Sequence, residues 1–312
     1  MNRSVLFTAL GASVFLVTGI VLTIQRFQTP DPAPATPVAQ GISPATGAVD
    51  LPQAPLVPRV ASRTVTAPAA PGDGAALQPG RYSPYGLPCD VALSARLALA
   101  AQVVLSLQAN CALSQPLIVE HAGLRFSGRT DARGHYRVMV PALNDDALFQ
   151  ISFADGASVQ VHVAVPDAPL YRRVVLQWQG DQGVSLHARE FGAGYGGTGH
   201  VWTAQPGRAE DAVAHRGGYL SQLGDADAAD GWRAQVYSLA RGLDRGPGVV
   251  RVSVEAEVTR QNCGRMAVAE TLQPGADGLL AAGLRVQMPD CSAVGEFLVL
   301  KNVLRDLKIA RN

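Results

Sequence analysis

The chain has 312 residues, a formal net charge of +1 at pH 7 and a pI near 7.7. This near-neutral balance provides no basic surface for a nucleic acid, so nucleic acid is excluded as a partner. Glycine and proline are frequent, aromatic residues are sparse, and many short alternating apolar segments are separated by turn residues. These features predict an all-β architecture.

The first element along the chain is an uncharged apolar run of 21 residues, from Ser4 to Ile24. About 20 apolar residues in a helix cross the ~30 Å hydrocarbon core of a bilayer, so residues 1–27 are predicted to form an N-terminal transmembrane signal anchor. A cleaved signal peptide is the alternative, but its apolar region is only about 7–15 residues long and its cleavage site follows closely. The nearest small-x-small site here, Ala33-Pro34-Ala35, is farther away and contains a proline. An uncleaved anchor is therefore favoured.

The next segment, residues 28–88, changes sharply in composition. It contains 13 prolines spaced by Ala, Thr, Val and Gly, and no apolar periodicity lasts long enough to bury a face. This composition is typical of a disordered, proline-rich linker. A flexible coil of this length has an end-to-end distance of roughly 40–45 Å, so the linker would hold the rest of the chain away from the membrane.

Residues 89–168 are predicted to form a first β-sandwich domain. About seven short segments alternate apolar and polar residues, which indicates strands with one buried and one solvated face. The segment from Thr130 to Pro141 resembles the "TDxxGxY…vP" hairpin of carboxypeptidase-regulatory-like, transthyretin-type β-sandwiches. Asp131 can accept hydrogen bonds within the turn, and Gly134 can adopt the positive φ that the turn needs. The resemblance implies a structural or adhesive domain without catalytic residues.

Residues 169–312 are predicted to form a second β-sandwich domain, with turns at Asp181-Gln182-Gly183 and Pro274-Gly275. The alternation of Val174, Leu176 and Trp178 begins it. The segment 174–190 is similar to the opening of uncharacterised envelope β-sandwich domains, through Trp178, Asp181, Leu186 and His187. Near the end, Leu300, Val303, Leu304 and Leu307 have helical spacing, and a last strand with a short helical turn is the alternative.

The order of these segments, with the C-terminal sequence FLVLKNVLRDLKIARN at residues 297–312, is similar to an uncharacterised bacterial family of single-span envelope proteins. Members of that family are sometimes labelled "translocase". The resemblance implies a bacterial envelope location, and no individual residue supports a translocase activity.

The four cysteines form no CxxC pair, which argues against a zinc ribbon or a thioredoxin-type redox motif. Of the three pairings that four cysteines allow, Cys89–Cys111 and Cys263–Cys291 each stay inside one predicted domain. Disulfides indicate an oxidising compartment. The predicted location is therefore the bacterial inner membrane, with a single span and with the C-terminal domains in the periplasm.

The segment Gly192 to Gly197 fits the GxGxxG pattern of dinucleotide sites, with Asp211 at a suitable distance. No helix is expected to follow it, and the surroundings are not βαβ, so a mobile loop is predicted and no cofactor is expected. His187, Glu190 and His200 flank this loop and could bind a metal. The strand pattern favours solvated surface histidines over metal ligands, so no metal is predicted.

The best candidates for binding a ligand or partner are Tyr195, His200 and Trp202, on and beside this loop. Exposed aromatic side chains on loops of β-sandwiches commonly grip sugar rings or protein partners. The alternative is that Trp202 belongs to the core and that the glycines only bend the chain.

No signature of a serine, cysteine or metal-dependent hydrolase is present, so no catalytic residue and no enzyme activity is predicted. Three acidic pairs, Asp145/Asp146, Asp225/Asp227 and Glu255/Glu257, are interpreted as solvated charges. The predicted function is a membrane-anchored periplasmic interaction module or adaptor, whose partners are other envelope proteins or the cell wall. A peptidoglycan- or glycan-binding module is the first alternative, and an envelope enzyme of unknown type is the second.

Overall fold

The computed structural model describes residues 82–242, 248–275 and 278–309. All of these residues fall within one compact unit of the chain. The predicted anchor, residues 1–27, and most of the predicted linker lie outside the described residues. Within the described ranges, no helix is long and apolar enough to cross a membrane.

The first part of the described chain forms two antiparallel sheets that pack face to face. One sheet has the order β1-β2-β5, and its strands are β1 (Val91–Ala98), β2 (Gln102–Ala109) and β5 (His135–Pro141). The other has the order β4-β3-β6-β7, and its strands are β3 (Pro116–His121), β4 (Leu124–Arg129), β6 (Asp146–Phe153) and β7 (Ser158–Ala164). The seven strands that the alternating pattern predicted are therefore present.

The second part forms two further antiparallel sheets, of five strands each. The middle sheet has the order β11-β12-β8-β14-β15, with strands β8 (Tyr171–Gln179), β11 (Tyr219–Leu223), β12 (Trp232–Ala240), β14 (Met266–Pro274) and β15 (Leu279–Gln287). The outer sheet has the order β10-β9-β13-β16, with β17 also paired to β13. Its strands are β9 (Val184–Glu190), β10 (His200–Val201), β13 (Gly248–Glu257), β16 (Phe297–Leu300) and β17 (Leu307–Ile309). A short helix, α1 (Ala209–Val213), precedes β11, and single 3-10 turns lie at Leu99–Ala101, Ala168–Leu170 and Cys291–Ala293.

The central strands of the middle sheet, β8 and β12, are buried on both faces. On one face Val174, Leu176 and Trp178 of β8 join the core shared with the outer sheet, as the alternation predicted. On the other face Val175 and Val236 join the core of the first two sheets. Two apolar cores, one on each side, therefore share the middle sheet, which joins the first and second parts of the chain.

A buried arginine reinforces this connection. Arg173 is 4% exposed, and its guanidinium donates to the carbonyl oxygens of Ala142 at 2.5 Å and of Ala100 at 2.6 Å. It also donates to Ser238 Oγ at 3.2 Å. Burial lowers the pKa of Arg173, and the oxygens that surround the guanidinium replace the water it has lost.

A buried glutamine makes a second polar connection at the other end of β8. Gln177 is fully buried; its side chain accepts from the backbone N–H of Arg125 at 2.8 Å and donates to the carbonyl of Gly123 at 2.9 Å. The β3–β4 turn is thereby fixed to the middle sheet. Nearby, the backbone N–H of Trp232 donates to Ser127 Oγ at 2.8 Å.

Several details of the sequence prediction are confirmed. Both disulfides form as expected, Cys89–Cys111 and Cys263–Cys291. Asp131 Oδ1 accepts from the backbone N–H groups of Arg133 and His135, both at 2.8 Å, and these hydrogen bonds lower the pKa of Asp131. Gly134 has φ +84°.

Two further segments are decided by the structure. Of the two alternatives for the C-terminal segment, the structure has the strand and not the helix: β16 ends at Leu300, a turn follows, and β17 spans Leu307–Ile309. Both strands pair with β13, and Leu300, Val303, Leu304 and Leu307 pack on the core between the middle and outer sheets. Residues 82–88, the end of the predicted linker, form a turn in which Ser83 and Leu87 are hydrogen-bonded.

Candidate functional site

The candidate site lies on the outward face of the outer sheet. Alternation along β9 directs Leu186 and Ala188 into the core and places Ser185, His187 and Arg189 on the outward face. The antiparallel register sets Ser253 of β13 opposite His187 and Glu255 opposite Ser185. On the other side of β9, His200 of β10 pairs with Arg189.

The glycine-rich segment of residues 191–199, called here the Tyr195 loop, connects β9 to β10 and folds over these side chains. Four of its residues, Phe191, Gly192, Gly196 and Gly199, have positive φ. The backbone N–H of Gly196 donates to His200 Nδ1 at 2.9 Å, and Tyr195 donates its phenolic hydrogen to Glu255 Oε1 at 2.7 Å. The loop was predicted to be mobile, whereas the structure ties it to two strands of the sheet.

The hydrogen-bond directions in the site follow from the Gly196 contact. A backbone N–H can only donate, so His200 Nδ1 accepts and His200 Nε2 carries the proton. His200 Nε2 lies 2.9 Å from His187 Nδ1, which must then accept. His187 Nε2 consequently carries a proton and donates to Ser185 Oγ at 2.9 Å. Both histidines are neutral in this arrangement, which is called here the histidine relay.

The environment of the relay favours the neutral forms. His187 is 4% and His200 3% exposed. Burial lowers the pKa of His187 to about 4, against an opposing contribution from the Glu255 carboxylate, whose Oε1 lies 3.7 Å from His187 Nδ1. Burial likewise lowers the pKa of His200, and Arg189 adds to this effect.

The aromatic rings of the site pack against the relay. The Trp202 ring is stacked with those of His187 and His200, at centroid distances of 5.2 and 5.5 Å. The guanidinium carbon of Arg189 lies 4.7 Å from the centre of the Tyr195 ring, within the range of a cation–π contact. Tyr195 is 54% exposed and Trp202 is half-buried, so the site presents one fixed, accessible aromatic ring with a second beside it.

The site also contains unused hydrogen-bond donors. Arg189 Nε, Trp202 Nε1 and Ser253 Oγ are buried atoms without a hydrogen-bond partner in the described part of the chain. Arg251 of β13 lies directly opposite Arg189, and neither forms an ion pair with a described carboxylate. Like charges in directly opposed positions destabilise a sheet. The outward face therefore presents positive charge that an acidic partner would neutralise, whereas the three unpaired donors are buried beneath it.

The three candidates from the sequence, Tyr195, His200 and Trp202, lie together. His187 and His200 were expected to be solvated, and this was wrong, because the Tyr195 loop covers both. Glu255 was likewise expected to be a solvated charge, and it is 5% exposed beneath Tyr195. Sequence reasoning missed Ser185, Arg189 and Ser253. For Ser185 and Arg189 the available signal was their spacing at i−2 and i+2 from His187 on one strand, which puts all three on one face; Ser253 lies on the facing strand β13, and the sequence carried no local signal for it.

The three potential metal ligands are not assembled. Glu190 points to the opposite face of β9, where it accepts from the Tyr237 hydroxyl and from the backbone N–H of Gly218, both at 2.7 Å. Among the described residues no group of three or more His, Cys, Asp or Glu side chains is arranged to hold a metal.

The histidine relay also makes Ser185 Oγ an acceptor of a hydrogen bond from His187. A serine nucleophile requires the opposite, a hydroxyl that gives its proton to the histidine.

A second concave feature lies on the middle sheet, on the face that β4 covers only in part. It is an open cleft of about 790 Å³. Its lining combines two tryptophans, Trp178 and Trp232, with amide and charged side chains that include Gln179, Asp181, Arg265 and Glu270.

Comparison with known proteins gave no assignment. No family model matches the chain, and no curated protein matches it.

Proposed function

We propose that the chain is a membrane-anchored periplasmic interaction module, and that the Tyr195 loop is its partner-binding surface. The anchor is proposed from the apolar run Ser4–Ile24 and the linker from the proline-rich segment that follows. Two disulfides are consistent with an oxidising compartment. The proposed module comprises two β-sandwich domains that meet at the middle sheet.

The observation that carries this proposal is that Tyr195 is held in place before any partner binds. Its hydroxyl is bound to Glu255, its ring is packed on Arg189, and the next residue is bound to His200. A binding loop that is already ordered loses less conformational entropy on association. Exposed, rigid tyrosines supply large contact areas in protein interfaces, and the nearby Arg189 and Arg251 favour an acidic partner segment.

The test is site-specific photo-crosslinking of the full-length protein in its native membrane. A photoreactive phenylalanine analogue at Tyr195 should give adducts with a small number of defined envelope proteins. The matched control is the same analogue at Tyr85, which is 63% exposed and lies outside the site. No adducts at position 195, or the same adducts from both positions, would contradict the proposal.

Glycan binding is the second candidate function, and the cleft beside Trp232 favours it. Sugar sites combine an aromatic ring with planar amide, carboxylate and guanidinium groups, and this cleft contains each of them. The full-length protein in detergent would be sedimented with purified peptidoglycan. Loss of binding in Arg265→Ala would assign it to the cleft, and loss in Tyr195→Ala would assign it to the loop. A protein that stays in the supernatant rules out this function.

A further inference from the structure

The edge strand β15 is open and poorly protected. It pairs with β14, and no described strand pairs with its other edge. At nine residues it is the longest edge strand in the described ranges, and it contains a single charged residue, Arg285. Proteins usually guard such edges with charges, prolines or bulges, because an open edge recruits another strand. By comparison, the edge strand β5 contains His135, Arg137 and Pro141.

Nothing in the described part of the chain requires the glycine at the centre of β15. Gly283 is exposed and does not have a positive φ, and a Cβ added to it would have no heavy atom within 4 Å. Neither its backbone conformation nor its neighbours therefore require glycine. A glycine inside a strand often marks the close approach of a second backbone.

We propose that β15 pairs antiparallel with β15 of a second copy of this chain, with the twofold axis at Gly283. The contact is isologous, so each residue at a given distance from Gly283 meets the residue at the same distance on the other side. This register places Ala281 opposite Arg285, Leu280 opposite Val286 and Ala282 opposite Leu284. The two arginines of the dimer each face an alanine, so like charges do not meet across the interface.

The apolar residues of β15 fit this pairing. Leu280 is 50% exposed, and in the dimer it lies against Val286 of the second copy. Leu284 and Val286 already pack on the core between the middle and outer sheets, so pairing extends that core across the twofold axis. The two middle sheets become one continuous sheet, and the open edge is eliminated.

Dimerisation is tested with a charge pair at one exposed position. Ala281→Lys places a lysine opposite Arg285 at both symmetric contacts, whereas Ala281→Glu places a carboxylate there. Two cross-strand pairs of this kind change the dimer dissociation constant by roughly tenfold. Sedimentation velocity of the full-length protein in detergent should show a dimer that Ala281→Lys weakens and that Ala281→Glu retains or tightens. Both variants carry one charge at the same site, so each controls for the other.

A crosslink in native membranes verifies the register and excludes a contact made only through the anchor. Cysteines at position 283 of two copies would have Cβ atoms about 4.5–5.5 Å apart, close enough to form a disulfide after a small adjustment. Gly283→Cys should therefore give a covalent dimer on oxidation. Ala281→Cys is the control, because it lies four residues, roughly 13 Å, from its own copy. The proposal would be overturned if the protein were a monomer at all concentrations. It would also be overturned if the dimer were unaffected by the charge at position 281 and Gly283→Cys gave no crosslink.

Discussion

The two buried histidines make the Tyr195 loop sensitive to acid. A second proton on His187 would sit on Nδ1, where His200 Nε2–H already points, so protonation breaks the relay. Glu255, Arg189 and Tyr195 are the other ionisable groups around it, and the Glu255 carboxylate, which favours protonation, does not outweigh burial. The folded-state pKa of His187 is about 4, below its unfolded value of about 6.5. The unfolded or open state therefore binds more protons between these values, and stability is lost as the pH falls through this window.

The expected result is that amide hydrogens of residues 191–199 exchange faster at pH 5 than at pH 7, after correction for the intrinsic pH dependence of exchange. Hydrogen exchange with mass spectrometry measures this directly in the full-length protein. His162→Gln is the control, because the His162 side chain is 60% exposed and should leave the pH dependence unchanged. Equal protection at both pH values would show that the relay does not hold the loop.

Gly134 supplies a second prediction at the scale of one residue. A Cβ at Gly134 would lie 2.1 Å from the backbone oxygen of Ala109, so Gly134→Ala must displace the β2 end. Gly156 is the matched control: it has a similar φ, +87° against +84°, but a Cβ there meets nothing within 4 Å. Gly156→Ala should cost about 1–2 kcal/mol, the penalty for a left-handed alanine. Gly134→Ala should cost clearly more in urea denaturation, and equal losses would contradict the steric argument.

At the scale of the element, the two disulfides stabilise the fold because each closes a loop of the chain covalently and so lowers the entropy of the unfolded state. Cys89 and Cys111 are 22 residues apart, and Cys263 and Cys291 are 28 apart. The chain-entropy model gives each bridge a contribution of about 3.5 kcal/mol to the free energy of unfolding. Replacing Cys263 and Cys291 by serine should lower the stability by that amount and leave the first disulfide intact. Urea denaturation measures the loss, and an unchanged midpoint would refute it.

The strands and the disulfides could be predicted because their signals are local. Period-two alternation gives β1 to β7 and the core face of β8, and the turn chemistry of Asp131 and Gly134 fixes one hairpin. The spacing at 300–307 left a helix and a strand both open, because two short strands joined by a turn can show helical spacing. The burial of His187 and Glu255 depends on a loop folding back over its own sheet, and alternation alone carries no information about that.

At the scale of the whole molecule, the sequence analysis did not predict that one sheet, the middle sheet, contributes side chains to two cores. The signal was present in β8, where Val174 to Leu176 and Trp178 read as a nearly continuous apolar run instead of strict alternation. Such runs are typical of strands buried on both faces. The two parts of the chain therefore share a layer, and their stabilities should be coupled.

Arg173 is the residue on which that coupling can be measured. Its guanidinium donates to the carbonyl oxygens of Ala142 and Ala100 in the first part of the chain. Arg173 itself lies in β8, a strand of the second part. Arg173→Lys keeps the charge but cannot reach the separate acceptors, which leaves buried carbonyls unpaired. The expected loss is about 3–5 kcal/mol, as for breaking a buried charged contact, and the single unfolding transition should broaden or split.

Arg172→Lys is the matched control, because it is the adjacent residue of the same strand. Arg172 points to the other side of β8, where it donates to the Lys308 carbonyl within the second part only. Arg172→Lys should lower the free energy of unfolding by less than about 1 kcal/mol, the value for a partly exposed hydrogen bond. The variant should still unfold in a single transition. Urea unfolding followed by tryptophan fluorescence and by far-UV circular dichroism separates the two variants. If Arg173→Lys and Arg172→Lys behave alike, the buried arginine does not couple the two parts, and the shared apolar layer alone joins them.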